Sequence, residues 1–394
     1  MTTICPACAS TATRSFYHGG EVPVHSCLLV ADQQESLDFP RGELELALCE
    51  ACGFIYNQQF DPSHNEYSPD YEETQGFSPL FQEFIADLAA RWVERYDLAG
   101  KNVVELGCGK GEFLAEMVRA GVGHGVGVDP GVHPERIADD VRDRTTWVRG
   151  LFPQDYPDLD AGAVICRHTL EHIAPVAEWM LEIRAAIGHR TETAMLFELP
   201  DVKRVLEEGA FWDVYYEHCS YFSAGSLARL FRRTGFQVLD LWPAYDNQYL
   251  IIEARPTDVS ASKAEPLAIE DDIDLVTGEA ERFAAAQAEL IGRWRERLRE
   301  VATSGGDCVI WGSGSKGVAF LAALGKDASS VTAAVDINPF KHGKYMAGTG
   351  HRIIAPKELT GIQPDLIIAM NPAYLGEIKH DLDTLGVRTS LEAV

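Results

Sequence analysis

The sequence lacks the features that mark membrane proteins, secreted proteins and nucleic-acid-binding proteins. It has no run of roughly 18 apolar residues, the length that a membrane helix requires. Its first residues carry no basic segment that leads into an apolar stretch, so we expect no signal peptide. Basic residues are scarce, since 34 Lys and Arg stand against 60 Asp and Glu and give a formal charge of −26. Because this charge repels polyanions, we predict a cytoplasmic protein with a small-molecule substrate and no nucleic-acid or membrane partner.

The chain also lacks internal repeats and low-complexity tracts, although its 394 residues exceed one ordinary hydrophobic core. We predict three parts, over residues 1–60, 61–257 and 271–394, with a linker rich in Pro, Ser and Ala before the last. Short apolar runs alternate with helical patterns in the second part, which is typical of a doubly wound, mainly parallel sheet covered by helices. A long helix over 272–303 and a second strand–helix alternation predict a smaller C-terminal α/β domain. The expected fold class is therefore α/β.

Two cysteine pairs, Cys5-x-x-Cys8 and Cys49-x-x-Cys52, lie in the first part. Four thiolates at this spacing form the closed tetrahedral site of structural zinc, and Gly53 suits the tight turn after the second pair. Full ligation leaves no open position on the ion, so we predict one zinc per chain with no catalytic part. The alternative is a set of redox-active or simply buried thiols.

A glycine-rich turn follows the first strand of the second part. Its glycines, at 107, 109 and 111, allow positive backbone torsions and a close approach of the main chain to a ligand. The acidic residue Glu105 stands two positions before the first glycine, where its carboxylate can hold an ammonium group. Asp129 ends the next strand, where it can accept hydrogen bonds from ribose hydroxyls. The alternative for both acids is the capping of loops.

The form Glu-Leu-Gly-x-Gly-x-Gly resembles motif I of class I methyltransferases and departs from the Gly-x-Gly-x-x-Gly of dinucleotide-binding enzymes. The resemblance implies S-adenosylmethionine as the cofactor. It also implies that adenine stacks on the segment after the third strand, and that a histidine after the fourth strand lies over the pocket. The candidate cofactor-binding residues are Glu105, Gly107, Gly109, Gly111, Asp129, Leu151, Phe152 and His168.

A segment over residues 211–222 concentrates aromatic and titratable side chains. Tyr216, Glu217 and His218 offer a hydroxyl, a carboxylate and an imidazole within one turn, a set that can abstract a proton and hold the resulting anion. The alternative is a histidine that only caps a loop.

The cysteine knuckles, motif I, the Tyr-Tyr-Glu-His segment and the α/β tail together resemble the sugar C-methyltransferase family over nearly the whole chain. The resemblance implies a nucleotide-linked keto-deoxysugar as substrate, with proton abstraction next to the ketone and attack of the enolate carbon on the sulfonium methyl. It implies that His218 is the base, that Glu217 and Tyr215 line the sugar site, and that His172 approaches the substrate. Two segments depart from the family pattern, 245–250 and 75–79.

The C-terminal part carries a true Gly-x-Gly-x-x-Gly at 312–317, and Asp336 ends the next strand. Alone, this pattern predicts NAD binding and a nicotinamide oxidoreductase. The resemblance instead implies a Rossmann-like domain that helps to hold substrate, with Lys316 placed to meet a phosphate.

Two further functions stay open at this point. One is methyl transfer to oxygen or nitrogen of another metabolite, which uses the same cofactor and a base. The other is a non-catalytic sensor or scaffold that binds S-adenosylmethionine, although such a protein has no need for the cluster at 216–218.

Overall fold

The computed structural model describes residues 4–64, 70–257 and 265–394. These residues form sixteen strands and eleven helices, apart from short 3₁₀ turns. The strands are β1 (Thr13–Pro23), β2 (Arg41–Cys49), β3 (Ile55–Asn57), β4 (Asn102–Leu106), β5 (His124–Val128), β6 (Thr145–Val148), β7 (Ala163–Arg167), β8 (Ala194–Pro200), β9 (Ser220–Tyr221), β10 (Phe236–Ala244), β11 (Tyr249–Pro256), β12 (Cys308–Trp311), β13 (Val331–Val335), β14 (Ile353–Ile354), β15 (Leu366–Ala369) and β16 (Ser390–Ala393). The helices are α1 (Gln33–Leu37), α2 (Pro79–Arg95), α3 (Glu112–Arg119), α4 (Asp139–Arg142), α5 (Val176–Ile187), α6 (Val202–Glu208), α7 (Ala224–Arg233), α8 (Ile273–Thr303), α9 (Ser315–Leu324), α10 (Leu359–Ile362) and α11 (Leu375–Leu385).

The largest sheet has the order β10-β11-β8-β7-β4-β5-β6 within the described residues. Strands β4 to β8 are parallel to one another, whereas β11 runs antiparallel to β8 and to the edge strand β10. The chain leaves β4 toward β5 and β6, and then returns to the other side of β4 with β7. Such a reversal opens a crevice at the carboxyl ends of the two central strands, where ligands bind in doubly wound sheets.

The C-terminal sheet has the order β14-β13-β12-β15-β16 and is parallel throughout its described strands. Its order also reverses beside the first strand, between β12 and β15, so a second crevice lies after β12. The predicted α/β fold class, with a doubly wound sheet and a second α/β domain, is confirmed. Helix α8 begins within one residue of its predicted start.

The N-terminal sheet is antiparallel and runs β1-β2-β3-β9 in the described part of the chain. Its last strand comes from the middle of the chain, because Ile55 pairs with Tyr221 and Tyr56 with Ser220. One apolar core also joins all three predicted parts: Tyr17 packs edge-on against Phe283 of α8, in the same cluster as residues of α9 and β12. The three parts therefore share packing, and their limits remain a prediction.

Helix α8 is the longest described helix, with 31 residues, but charged side chains recur along it. None of the helices in the described ranges is both long enough and apolar enough to cross a membrane.

Candidate active site

A cavity of about 920 Å³ is lined by the carboxyl ends of β4, β5 and β7, by the connector before α2, and by the turns after β12, β13 and β15. Both crevices of the two parallel sheets therefore open into one space. The cavity wall contains every predicted cofactor-binding residue except Gly111, and also Tyr215, His218 and His172.

The glycine turn after β4 is shaped by its neighbours as well as by its torsions. Gly107 has φ +69°, and a Cβ there would lie 1.9 Å from Oγ1 of Thr169. Asp129 closes the turn, because one carboxylate oxygen accepts a hydrogen bond from the Gly109 amide at 3.0 Å and the other from the Gly131 amide at 2.6 Å. Each oxygen keeps a second lone pair for a ligand hydroxyl. Asp129 therefore caps the loop, which is one of the two alternatives that the sequence left open. It also lines the cavity, where the other alternative, a contact with a ligand, is possible.

Glu105 is a buried acid in the cavity wall, with 2% of its surface exposed. Its Oε2 atom has no hydrogen-bond partner among the described residues. Burial raises the pKa of this carboxyl to about 8, although Arg167 acts in the opposite direction. A buried acceptor without a partner fits a cationic ligand group, such as the ammonium of S-adenosylmethionine.

The two candidates for adenine stacking differ in burial. Leu151 is 54% exposed, whereas Phe152 is buried with its ring edge-on to Trp179 at 6.1 Å. Both line the cavity, so an apolar wall stands beside the glycine turn.

His168 belongs to a charged network at the end of β7. Its Nε2 atom lies 3.0 Å from Glu198, which also accepts two hydrogen bonds from Arg167. Burial opposes the charged imidazole, but the carboxylates of Glu171 and Glu198 raise the pKa of His168 to about 9. His168 is therefore protonated at pH 7 and donates rather than accepts protons.

His218 and Tyr215 form a pair in the cavity wall. The Tyr215 hydroxyl lies 2.9 Å from Nε2 of His218, and the ring of His172 lies 4.8 Å from that of His218. Burial lowers the pKa of His218 well below 6.5, and the nearby His172, His168 and Lys316 lower it further. A neutral imidazole at pH 7 is able to accept a proton.

Tyr216 and Glu217 point away from this cavity and are not among its lining residues. The Tyr216 hydroxyl accepts a hydrogen bond from the Asp61 amide at 2.8 Å. Glu217 accepts hydrogen bonds from the amide and the hydroxyl of Ser26, and its other oxygen lies 3.4 Å from Nδ1 of His25. These orientations follow from a turn, in which the amide of His218 donates a hydrogen bond to the carbonyl of Tyr215 at 3.2 Å. Residues 215 and 218 consequently share one face, and 216 and 217 face the N-terminal sheet.

The four cysteines of the predicted zinc site come together at the end of the N-terminal sheet. Sγ of Cys5 lies 3.8 Å from that of Cys52, and Sγ of Cys8 lies 3.6 Å from that of Cys49. All four sulfurs lie within 4.8 Å of one another. This donor set fits one tetrahedral zinc ion.

The C-terminal glycine turn lines the same cavity, but its charged residues already have partners. Asp336 accepts hydrogen bonds from the amide and hydroxyl of Ser313 and from the amide of Asn338. Lys316 forms an ion pair with Asp213, which also pairs with Arg204 at 2.5 Å. Asp336 therefore organises its own loop, as Asp129 does in the middle sheet.

Both segments that depart from the family pattern contact the C-terminal sheet. The amide groups of Gln248 and Asn371 exchange hydrogen bonds at 3.1 and 3.0 Å. Gln75 accepts a hydrogen bond from the Tyr374 hydroxyl at 2.7 Å. These contacts hold the connector and the end of β10 against the turn after β15.

Comparison with known proteins finds two family models that match this chain. Residues 81–241 match the family model of a methyltransferase domain, and residues 251–388 match that of a C-methyltransferase C-terminal domain. The C-methyltransferase NovU of Streptomyces niveus is 29% identical over 298 residues, which cover 73% of this chain and 70% of that protein. The chain is an S-adenosylmethionine-dependent methyltransferase. The second match and the relative from Streptomyces support a C-methyltransferase family for this methyltransferase.

Other similarities cover smaller shares of the chain. Ribosomal protein L11 methyltransferase of Alteromonas mediterranea is 34% identical over 86 residues, which cover 20% of this chain and 28% of that relative. Among solved structures, the riboflavin-derivative dimethyltransferase RosA of Streptomyces davawensis matches with a TM-score of 0.38 and 24% identity, over 45% of this chain and 55% of its own. A toxoflavin-pathway N1-methyltransferase of Burkholderia thailandensis, with S-adenosylhomocysteine bound, matches with a TM-score of 0.37 and 18% identity, over 46% and 83% of the two chains.

The wall of the cavity also contains acids that the sequence analysis did not assign. Glu73 of the connector has an Oε2 atom with no hydrogen-bond partner among the residues the structure describes, and burial raises its pKa to about 8. Its Oε1 atom lies 2.6 Å from where a Cβ of Gly109 would be. Glu171, in the turn after β7, is another such acid in the cavity wall. The connector has no periodic pattern, so the sequence offered only a polar, tyrosine-bearing stretch there, whereas Glu171 stood beside the predicted His172.

Proposed function

We propose that this methyltransferase adds a methyl group to a carbon next to a ketone, in a sugar that carries a phosphate-containing group such as a nucleotide. The observation that carries the proposal is the pair of Tyr215 and His218, a buried neutral imidazole in the same cavity as the glycine turn. A base is needed for C-methylation because a carbon next to a ketone must lose a proton before it becomes a nucleophile.

His218 accepts that proton, and Tyr215 sets which nitrogen does so. When Nε2 carries the hydrogen and donates it to the Tyr215 oxygen, Nδ1 keeps a free electron pair for the substrate proton. The protonated His168 lines the same cavity, where its charge favours a developing enolate.

Glu105, the glycine turn and Asp129 hold the cofactor in this proposal. S-Adenosylmethionine, when bound, supplies the electrophilic methyl group. The buried acids of the cradle complement a ligand that carries two positive charges, and the cavity walls exclude water from the reacting atoms.

A phosphate-bearing substrate is supported by the charges beside the C-terminal glycine turn. Lys316 and Arg204 share the buried carboxylate of Asp213, and Arg204 has a second, half-exposed partner in Glu208. Although burial favours the neutral acid, the two cations lower the pKa of Asp213, so it is charged at pH 7. Nε of Arg204 has no hydrogen-bond partner within the described chain, and the N-terminus of α9 adds a partial positive charge. An anionic group therefore finds local attraction in an acidic protein.

We further propose that Cys5, Cys8, Cys49 and Cys52 hold a structural zinc ion. We keep the three predicted domains, 1–60, 61–257 and 271–394, with substrate in the cleft between the last two. The N-terminal domain supports the site because its strand β3 pairs with β9, which lies at the end of the catalytic segment.

The proposal is tested by the release of S-adenosylhomocysteine with three matched acceptors. These are a nucleotide-linked keto-deoxysugar, the same compound with its ketone reduced to an alcohol, and the free keto-sugar. We expect turnover with the first, none with the second, and a strongly raised KM with the third. Turnover of the alcohol indicates O-methylation, and cofactor binding with no turnover of any acceptor indicates a sensor; either result contradicts the proposal.

The role of His218 is tested by His218→Asn. This variant removes the base but leaves the cradle intact, so turnover should be lost while the Kd for S-adenosylmethionine is unchanged. Turnover at the wild-type rate would refute the assignment.

A further inference from the structure

Glu171 is a buried carboxylate in the turn after β7. It is 2% exposed, it lines the cavity, and neither of its carboxylate oxygens has a hydrogen-bond partner among the described residues. An isolated buried carboxylate is costly in free energy unless positive charges lie near it. The groups around Glu171 should therefore indicate which positive charge this carboxylate stabilises.

Two imidazoles lie close to the carboxylate of Glu171. Its Oε1 atom lies 3.6 Å from Nδ1 of His168 and 4.0 Å from Nε2 of His218. His172 follows it in the chain and meets His218 ring to ring. Lys316 and the Tyr215 hydroxyl face His218 from the C-terminal turn and the catalytic segment.

Protonation of His218 adds a positive charge to a cluster in which two carboxylates already face two cations. The carboxylates of Glu171 and Glu198 offset the positive charges of His168 and Arg167. A protonated His218 adds one positive charge beside His168, and of the two carboxylates the closer is Glu171.

We propose that Glu171 is a positioning residue that stabilises the imidazolium of His218. This inference rests on the proposed function. In the step it assists, the C–H bond next to the ketone breaks, the proton passes to Nδ1 of His218, and the electron pair stays on the substrate as an enolate. Nε2–H of the imidazolium stays on the Tyr215 oxygen, while Oε1 of Glu171, 4.0 Å from Nε2, stabilises the positive charge as a carboxylate does for the histidine of a hydrolase triad. The proton leaves to solvent after methyl transfer.

A metal ion is the competing use of the same residues, since ligand atoms of Glu171, His172 and His218 lie within 4.8 Å of one another. Nitrogen and oxygen ligands bind zinc at about 2.0 to 2.2 Å, which brings them to within roughly 3.6 Å of each other. In the proposed zinc site, by comparison, the cysteine sulfurs are 3.6 and 3.8 Å apart, which is close to that spacing. The positive charges of His168 and Lys316 also disfavour a cation here, so the positioning role is the better supported.

The test compares Glu171→Gln with the wild type. Removal of the carboxylate should lower kcat by about 10 to 1000-fold, with KM and the Kd for S-adenosylhomocysteine changed by less than about threefold. Because a carboxylate favours the imidazolium, its loss should lower the pKa of His218 and move the acid limb of kcat/KM to lower pH. Glu171→Asp should restore part of kcat.

A matched control is Glu253→Gln. Glu253 is fully buried, outside the cavity wall, and accepts hydrogen bonds from Trp92 and Tyr96 at 2.9 and 2.6 Å. Its substitution should lower Tm without moving the acid limb, which separates a loss of stability from a change at His218.

A second readout needs no substrate. In ¹⁵N-histidine NMR spectra, assigned with His168→Asn and His218→Asn variants, the His218 signal should begin to protonate at a lower pH in Glu171→Gln than in the wild type. If the pH at which the His218 signal protonates is the same in both proteins, and kcat of Glu171→Gln stays within twofold of the wild-type value, the inference is wrong. A second metal equivalent that the wild type holds and Glu171→Gln loses would overturn it in favour of a metal site. If the wild type turns over no ketone acceptor, the proposed function fails, and the NMR titration still decides whether Glu171 sets the pKa of His218.

Discussion

In the proposed cofactor cradle, the ionisation of Glu105 should be linked to cofactor binding. With a pKa of about 8 it is mainly protonated at pH 7, and a cationic ligand beside it should lower that pKa and release the proton. Calorimetry with S-adenosylmethionine at pH 7 should therefore give different enthalpies in phosphate and Tris buffers, with affinity rising from pH 6 to 8.

Glu105→Gln is the variant that checks this link. It should reduce the buffer dependence and raise Kd by about 10 to 100-fold, since a hydrogen bond to a charged group contributes roughly 1.5 to 3 kcal/mol. Glu73→Gln serves as the comparison, because its carboxyl has a similar pKa in the same cavity wall. Equal enthalpies in the two buffers for the wild type would contradict the predicted proton release.

Tyr215 and Tyr216 form a matched pair of adjacent phenols with opposite orientations. Tyr215→Phe removes the hydroxyl that lies 2.9 Å from His218 and should lower kcat by about 10 to 100-fold. Tyr216→Phe removes one hydrogen bond to the Asp61 amide, so it should lower the free energy of unfolding by about 1 kcal/mol and leave kcat within about threefold. A larger loss of kcat in Tyr216→Phe would place the wrong tyrosine at the reaction.

The same segment shows what the sequence could and could not predict for single residues. Its composition predicted acid–base chemistry at 216–218, but which side chains reach the cavity depends on a turn that composition does not specify. Glu217 and Tyr216 contact the N-terminal part of the chain because residues distant in sequence, Ser26 and Asp61, supply their partners. Glu171 needed the fold as well, since its neighbours come from two separate segments.

At the scale of elements, the proposed zinc site and the catalytic segment are joined by one short strand. β3, which closely follows Cys52, pairs with β9, and β9 begins two residues after His218. Arg229 also donates a hydrogen bond to the carbonyl of Cys52 at 3.1 Å. Loss of the metal should thus disturb the base more than the cofactor cradle, which lies on β4 and β5.

Cys8→Ser tests this coupling. The variant should lose its zinc and show a lower Tm and a lower kcat, whereas Kd for S-adenosylhomocysteine should change by less than about threefold. Metal analysis, thermal unfolding and calorimetry measure the three effects. Cys308→Ala, at a buried cysteine of β12 outside the cluster, should lower Tm but keep one zinc per chain. Full zinc content in Cys8→Ser would contradict the proposed site.

Strong local patterns made most elements predictable. A buried strand before a glycine turn predicted β4 and α3, and an apolar stripe at helical spacing predicted α8. The pairing of β3 with β9 was not predictable, because a two-residue strand has no periodicity and its partner lies more than 160 residues away.

In the whole molecule, two doubly wound sheets open their crevices into one cavity. The proposed cofactor cradle belongs to the middle sheet, the cations proposed to meet an anionic group lie beside the C-terminal sheet, and the proposed base comes from a segment fixed to the N-terminal sheet. The net charge of −26 predicted a small-molecule substrate, but it could not reveal the local pair of Lys316 and Arg204. Such a pair depends on residues brought together by folding.

The identity of the methylated atom tests the account most directly. The methyltransferase, with one zinc per chain, is incubated with S-adenosylmethionine labelled with ¹³C in its methyl group and with a nucleotide-linked keto-deoxysugar, and the product is examined by ¹H–¹³C correlation NMR. We predict a labelled methyl bonded to the carbon next to the ketone, absent when His218→Asn replaces the wild type. A labelled methyl on oxygen or nitrogen, or a carbon-bound methyl formed equally well by His218→Asn, would contradict it.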